Sequence, residues 1–481
     1  MTTVPSIPAR RTPARTQHWV LAVSSAASFV VVLDMLVVST ALSSIQRDLG
    51  ASLQDLEWTV NAYILSFAVL LMTGAALGDR YGRRRVFAIG LVVFALASAA
   101  CALAPTVGAR IAARTVQGAG AAIIMPLALA TMNAAFPPER RGWATGIFGS
   151  ATGLAATVGP IVGGAVTQGI AWPWVFWLNV PIGLAAAVLV LARTPESHGP
   201  GGRFDRPGIL LAAASALGFV WALVRGNATG WSSAETLGAL ALGVVGLAGF
   251  VAWERRAPAP MLPLRLFASR SFSAGSAAIF FLNATVTGSI FFTAQYFQVA
   301  LGHGPLEAGL RLLPWGLMPF VIAPWAGSLA DRFSTRSIVL VGTVLQTAGM
   351  AWLAAVAGSG TGYPALVGPM TLAGVGFALA VPAVTRAVVS LVAPQDLGRA
   401  SGSYSTVRQL GGAFGVAVLG AAFVAAGGDA GAGGAAAFAD GFGPAIAVSA
   451  GLAALGVTAA LLLPAPARPA LVNANLAAEA R

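Results

Sequence analysis

A chain of 481 residues that is 57% hydrophobic and only 9% charged, with a mean hydropathy of +0.80, lacks the polar surface that a soluble protein of this size needs. Its formal net charge of +12 comes from arginine, because lysine is absent, and without lysine the chain cannot build the phosphate-cradling loop of an ATP-driven pump.

Residues 1–18 form a short basic tail with no small-residue cleavage site behind it, so the first apolar run is expected to stay in the mature protein. Fourteen runs long enough to cross about 30 Å of hydrocarbon follow. They lie at 19–42, 57–77, 86–104, 109–136, 145–167, 175–193, 208–224, 234–253, 272–297, 306–329, 338–357, 363–392, 401–426 and 442–463. Most of the 28 arginines fall in the tails and in alternate loops, with Arg47, Arg110 and Arg225 at the opposite face. That bias predicts a multi-pass protein of the cell membrane with both termini cytoplasmic, and it assigns the positive charge to topology rather than to nucleic acid. Cys101 is the only cysteine, which excludes an intrachain disulfide. His18, His198 and His303 are far apart in sequence, so neither a metal site nor an enzyme is expected.

Span 1 carries Asp34 and span 4 carries Arg114, with Gln117 one turn further on. An acid embedded in a span is a functional candidate by default. At 1.5 Å per residue Asp34 lies about 12 Å, and Arg114 about 8 Å, from the same membrane face. The expectation is a coupled pair in which proton and substrate compete for one carboxylate.

Between spans 2 and 3 the stretch ALGDRYGRRR (76–85) crowds Asp79, Arg80, Arg83, Arg84 and Arg85 around Gly82. Arginines alone would suffice for orientation. The acid among them predicts a breakable gate in which Asp79 accepts charge-assisted bonds from a neighbouring arginine or helix N-terminus. The stretch is echoed by SLADRFSTR (328–336), which contains Asp331 and Arg332, and PERRGWATG (138–146) is echoed by PQDLGRASG (394–402). Two echoes at nearly one offset predict a parallel duplication displaced by eight spans. The expected organisation is an N-terminal half (19–193), a linker with two inserted spans (194–271), a C-terminal half (272–463) and a cytoplasmic tail (464–481), with substrate bound between the halves near mid-depth.

Span 5 reads GSATGLAATVGPIVGG, in which Gly153, Gly159, Gly163 and Gly164 allow close helix approach and Pro160 removes a backbone bond. Asn61 in span 2 and Asn283, Gln295, Tyr296, Trp315, Arg386 and Arg408 in the second half are the candidate substrate-cavity residues, although belt and packing roles account for most such side chains. No acid is embedded in spans 9–14, which favours neutral, anionic or monocationic substrates.

The loop after span 2 resembles the major facilitator signature Gly-x-Leu-Ala-Asp-Arg-x-Gly-Arg-Arg, with Ala75 and Gly78 as departures. Fourteen spans, ARTVQGAGAA (113–122), GPIVGG (159–164) and WPWVFWLNVPIG (172–183) narrow the resemblance to the fourteen-span drug:proton antiporter branch. The stretch LDMLVVSTALS (33–43) keeps that branch's acid but lacks its Asn and Pro. The resemblance implies an all-α fold of two six-helix halves plus an inserted hairpin. It implies efflux of hydrophobic drugs or antibiotics by proton antiport, powered by the proton gradient, with no cofactor and a monomeric chain in the bilayer. It also assigns Asp79 and Gly82 to the cytoplasmic gate and the Gly-Pro motif of span 5 to exporters. A symporter on the same fold is the alternative, and an enzyme is far less favoured.

Overall fold

The computed structural model describes residues 13–199, 205–258, 260–322, 333–358, 361–389, 392, 397–428 and 434–464, and among these no strand occurs. The helices are α1 (Ala14–Leu49), α2 (Leu53–Tyr81), α3 (Arg83–Leu103), α4 (Val107–Ala135), α5 (Pro138–Gly169), α6 (Trp174–Arg193), α7 (Arg206–Thr229) and α8 (Ala234–Glu254). They are followed by α9 (Arg270–Gln295), α10 (Pro305–Arg311), α11 (Thr335–Val356), α12 (Tyr363–Val389), α13 (Leu397–Ala425) and α14 (Gly434–Leu461).

Among the described residues, 13 helices are long and apolar enough to cross a membrane. Of the remaining expected span, 306–329, residues 306–322 are described, and they are helical with breaks at Leu312 and Leu317. After α10 the chain turns at Leu312, makes a further helical turn at Leu313–Gly316 and is helical again over 318–322, and residues 323–332 lie outside the described part. Pro314 and Pro319 explain the break, since each removes a backbone donor from the i to i−4 ladder.

Local sequence sets the sharp corners. Gly50 closes α1 in the left-handed conformation (φ 61°). Two residues on, the Ser52 hydroxyl accepts from the Asp55 backbone N–H (3.2 Å) while the Asp55 carboxylate accepts from Ser52 N–H (2.9 Å), so both donors at the start of α2 are satisfied. Gly82 joins α2 to α3 at φ 103°, a conformation that side chains disfavour.

Helix pairing repeats with the expected displacement of eight. In the first half α1 packs on α5, α3 on α4 and α3 on α6; in the second α9 packs on α13, α11 on α12 and α11 on α14. The inserted hairpin packs α7 on α8, and α7 touches both α2 and α13, so it spans the two halves. Large apolar side chains such as Leu210 (70% exposed) and Val245 (69% exposed) point outward from the hairpin, as a lipid surround requires.

The span 5 glycines serve two different neighbours. A Cβ at Gly163 would collide with the Val37 carbonyl of α1, and one at Gly159 would press on Leu36 (2.9 Å). Gly164 instead abuts the backbone of Pro305 and Leu306, and Gly309 of α10 abuts the Pro160 carbonyl, so this edge of α5 seals against the other half. The seal continues to Thr157, whose hydroxyl donates to the Gly316 carbonyl (2.8 Å). At Gly153, Gly149 and Gly146 an added Cβ would meet nothing. Gly163→Ala is therefore expected to destabilise the protein by about 1–3 kcal/mol through overpacking, whereas Gly153→Ala should be neutral or slightly stabilising, since alanine favours helix. Thermal unfolding of the two variants in detergent tests this, and equal melting temperatures would contradict it.

Candidate functional site

The first half must accommodate Asp34, whose side chain is fully buried within the apolar part of α1. An unpaired buried carboxylate costs far more than a helix bundle can absorb, so donors have to converge on it. Three do. The Arg114 guanidinium lies 2.5 Å from Oδ2, and Oδ1 accepts from Gln117 Nε2 (2.8 Å) and Asn179 Nδ2 (2.7 Å). Arg114 is itself only 1% exposed. It also donates to the Gln117 side-chain carbonyl (2.9 Å) and to the Thr59 backbone carbonyl (3.2 Å), and its guanidinium sits 4.1 Å from the Tyr63 ring centroid.

An outer layer holds these groups in register. Asn179 also donates to Ser98 Oγ (3.1 Å), which donates to the Phe176 carbonyl (2.8 Å), and the Tyr63 hydroxyl donates to the Val31 carbonyl (3.2 Å). Asp34, Arg114 and Gln117 are thus brought together as the sequence led us to expect. Asn179, Thr59, Tyr63 and Ser98 were missed as site residues. For Asn179 a signal existed, an amide inside an apolar run next to Pro181 in the stretch WLNVP. Thr59 contributes through its backbone, which no residue type announces.

The remaining candidates scatter. Asn61 is fully buried on α2 with neither amide atom bonded. Asn283 Nδ2 donates to the Arg408 carbonyl (2.8 Å), linking α9 to α13, and Arg386 is exposed on α12. Tyr296 stacks on Phe442 (4.1 Å between centroids) and donates to the Gly358 carbonyl (2.8 Å), while Gln295 bonds within its own helix to Phe291. Both are engaged in packing at the end of α9. Trp315 is buried in the turn after α10, close to the α5 seal, and its indole N–H has no partner among the described residues.

At the arginine loop, Asp79 pairs with Arg83 of the same loop (2.8 Å). The segment after α6 is bound across it: Gly199 N–H donates to the Asp79 carbonyl (3.2 Å), Arg83 N–H to the Ser197 carbonyl (2.9 Å), and Arg84 N–H to Glu196 Oε1 (2.9 Å). Glu196 also lies 3.6 Å from Arg84 Nε and 3.8 Å from Arg85 Nε, near enough for charge attraction but too far for hydrogen bonds. Arg80 lies against the Tyr81 ring (5.3 Å). Glu196, Ser197 and Gly199 belong to the start of the linker (194–271). The echo residues Asp331 and Arg332 lie outside the described residues. Glu196 was not anticipated, because nothing in a linker acid's sequence surroundings says which loop it will cross.

A buried ion pair between α1 and α4, walled by α2 and α6 and set in a bundle of membrane-crossing helices, is the arrangement of a transporter. The profile of the Major Facilitator Superfamily matches residues 25–416 and again 276–479. The chain belongs to the Major Facilitator Superfamily. It is 37% identical over 394 residues to the tetracenomycin C resistance and export protein of Streptomyces glaucescens, covering 81% of this chain and 73% of the relative. It is 35% identical over 413 residues to the multidrug resistance protein Stp of Mycobacterium tuberculosis, covering 85% and 76%. Among solved structures, a bacterial homolog of the human lysosomal transporter Spinster superposes with a TM-score of 0.68 at 15% identity, covering 95% of this chain and 100% of that one. As members of this superfamily do, the chain works as a membrane transporter and not as an enzyme.

The ion pair makes its own prediction. Asp34→Asn leaves Arg114 charged, buried and uncompensated, and should cost about 3–5 kcal/mol of stability. The double variant Asp34→Asn/Arg114→Gln removes both charges and should lose clearly less than the sum of the single changes. Unfolding of all three proteins in detergent completes the cycle; additive losses would show that the two groups are not coupled.

Proposed function

We propose that this chain exports hydrophobic drugs or antibiotics by exchanging them for protons at the Asp34–Arg114 pair. The observation that carries the proposal is the buried carboxylate with three donors, one of them an arginine. With Asp34 ionised, the Arg114 charge is matched and the cluster is closed. A proton on Asp34 removes the match, and Arg114, left in low dielectric, seeks another acceptor. Proton and drug therefore alternate, and each favours a different arrangement of the same helices.

The relatives' printed roles in resistance and export support outward transport. The positive-inside bias supports a cytoplasmic-membrane location with the arginine loops and both termini in the cytoplasm. In that orientation the α5–α10 seal lies at the outer end. Residues 19–193 and 272–463 rock about the seal, 194–271 forms the inserted linker, and the Asp79 loop fastens the cytoplasmic side in the opposite state. The proton gradient is the only energy source required.

Everted vesicles energised to an acid interior, challenged with a panel of hydrophobic drugs, test this. Drug-dependent proton release is expected from the wild type and should be lost in Asp34→Asn at matched amounts of folded protein. Equal release from both proteins would remove Asp34 from the coupling, and uptake of drug along with protons would reverse the direction.

A further inference from the structure

α2 has two faces with opposite chemistry. Thr59 and Tyr63 point at the Arg114 cluster. The stripe formed by Glu57, Asn61, Ala68 and Met72, at near-heptad spacing, lies on the other side of the helix. That stripe meets α13 of the second half. The Glu57 carboxylate abuts Gly420, the Thr406 hydroxyl donates to the Ala68 carbonyl (3.2 Å), and the Met72 sulfur abuts Gly402.

Glu57 is only 2% exposed, and no described residue hydrogen-bonds to it or pairs with it. One turn away, Asn61 is fully buried with both amide atoms unpartnered. The charged groups on the surrounding elements are engaged elsewhere. Asp55 caps α2 through Ser52, Arg225 of α7 binds Glu235 (3.0 Å) and Gln54 (3.1 Å), and Arg114 lies on the other face of α2. At the end of α1, Asp48 accepts from the Trp172 indole (2.6 Å), and Arg47 is exposed beside Ser44. α13 carries no titratable side chain between Arg408 and its end at Ala425. α7 covers the seam, with Trp221 against Trp58 (5.3 Å) and Asn227 donating to the Ala421 carbonyl (2.5 Å).

We propose that Glu57 is a second proton-binding site, distinct from the Asp34 cluster, that latches the α2–α13 seam: it is neutral while the seam is closed and ionised once the halves part. An unpaired charge in this seam would cost several kcal/mol, so the neutral acid is the form that fits the sealed state. Opening wets the carboxylate and releases its proton, and resealing requires one to return. Both transfers occur on the same side of the membrane, so the latch sets how readily that side opens without altering the proton stoichiometry. Asn61 gives the protonated acid a polar neighbour one turn away while supplying no charge.

The inference rests on the rocking motion of the proposed export cycle, but its test needs no drug. Spin labels at Arg47→Cys, on the end of α1, and Ala425→Cys, on the end of α13, in a Cys101→Ala background, read the separation of the halves at this end in lipid nanodiscs. In the otherwise unchanged protein the open population should grow as pH rises from 6 to 9, by up to about tenfold per pH unit, the limit for one linked proton. Glu57→Gln, neutral at every pH, should stay sealed throughout. Glu57→Asp should restore the pH response, and Asp34→Asn should retain it. A separation that ignores pH, or a response as steep in Glu57→Gln as in the unchanged protein, overturns the proposal. Loss of the response only in Asp34→Asn would assign it to the Asp34 cluster and also overturns it. Absence of drug-driven proton release, by contrast, would count against the export reading alone.

Discussion

A carboxylate and a guanidinium placed together in the apolar interior of a helix bundle dominate the first half. Neither group tolerates that position alone, so the surrounding helices are arranged to supply what each lacks. α1 brings Asp34, α4 brings Arg114 and Gln117, α6 brings Asn179, α2 brings the Thr59 carbonyl and the Tyr63 ring, and α3 brings Ser98. α5 contributes nothing polar to the cluster. It docks on α1 through the bare backbone at Gly159 and Gly163 and on α10 through Gly164. Contacts made by backbone and small residues carry few directional bonds, so α5 is the helix of this half best suited to slide while the other five hold the charge pair.

The two ends of the molecule are fastened differently. At the arginine end the start of the linker fastens the first half: the segment 196–199 bonds to the loop that carries Asp79 and Arg83. At the opposite end the ties cross between halves, α5 to α10 and α2 to α13, and they are mostly small-residue contacts with isolated hydrogen bonds such as Gln298 Nε2 to the Thr40 carbonyl (3.2 Å). Halves that are lightly joined have their softest motion at that junction.

The repeat was legible because it left its mark in loop chemistry. Acids are few in this chain, 16 in 481 residues, yet the Asp-Arg pair recurs at one displacement, and the helix pairings follow the same displacement. The Asp34–Arg114 juxtaposition was legible from depth alone, since two charges in apolar runs at similar heights have few other partners. Glu57 was not, because a residue at the first position of a predicted run reads as a boundary charge, and only the start of α2 at Leu53 carries it a full turn inside the helix. The breaks at Leu312 and Leu317 in the described part of the span expected over 306–329 have a local reason: hydropathy averages over prolines that the backbone cannot.

The inserted hairpin gains a physical role from the same asymmetry. At the arginine end it is tied to its own flanks, where Asp205 accepts from the Trp253 indole (2.5 Å) and from Met261 N–H (3.2 Å), and Glu254 accepts from Met261 and Leu262 N–H (3.2 Å each). At the other end it holds one bond to each half, Arg225 to Gln54 and Asn227 to the Ala421 carbonyl. A hairpin anchored firmly at one end and lightly at the other can pivot. In the proposed cycle the parting of α2 and α13 releases one of two bonds, each worth about 1 kcal/mol net, a low barrier. While the halves are closed, Trp221 against Trp58 covers the seam that holds Glu57, which has no cationic partner among the described residues. Two extra spans thus cover the interface at which a twelve-helix arrangement would leave α2 and α13 facing the bilayer.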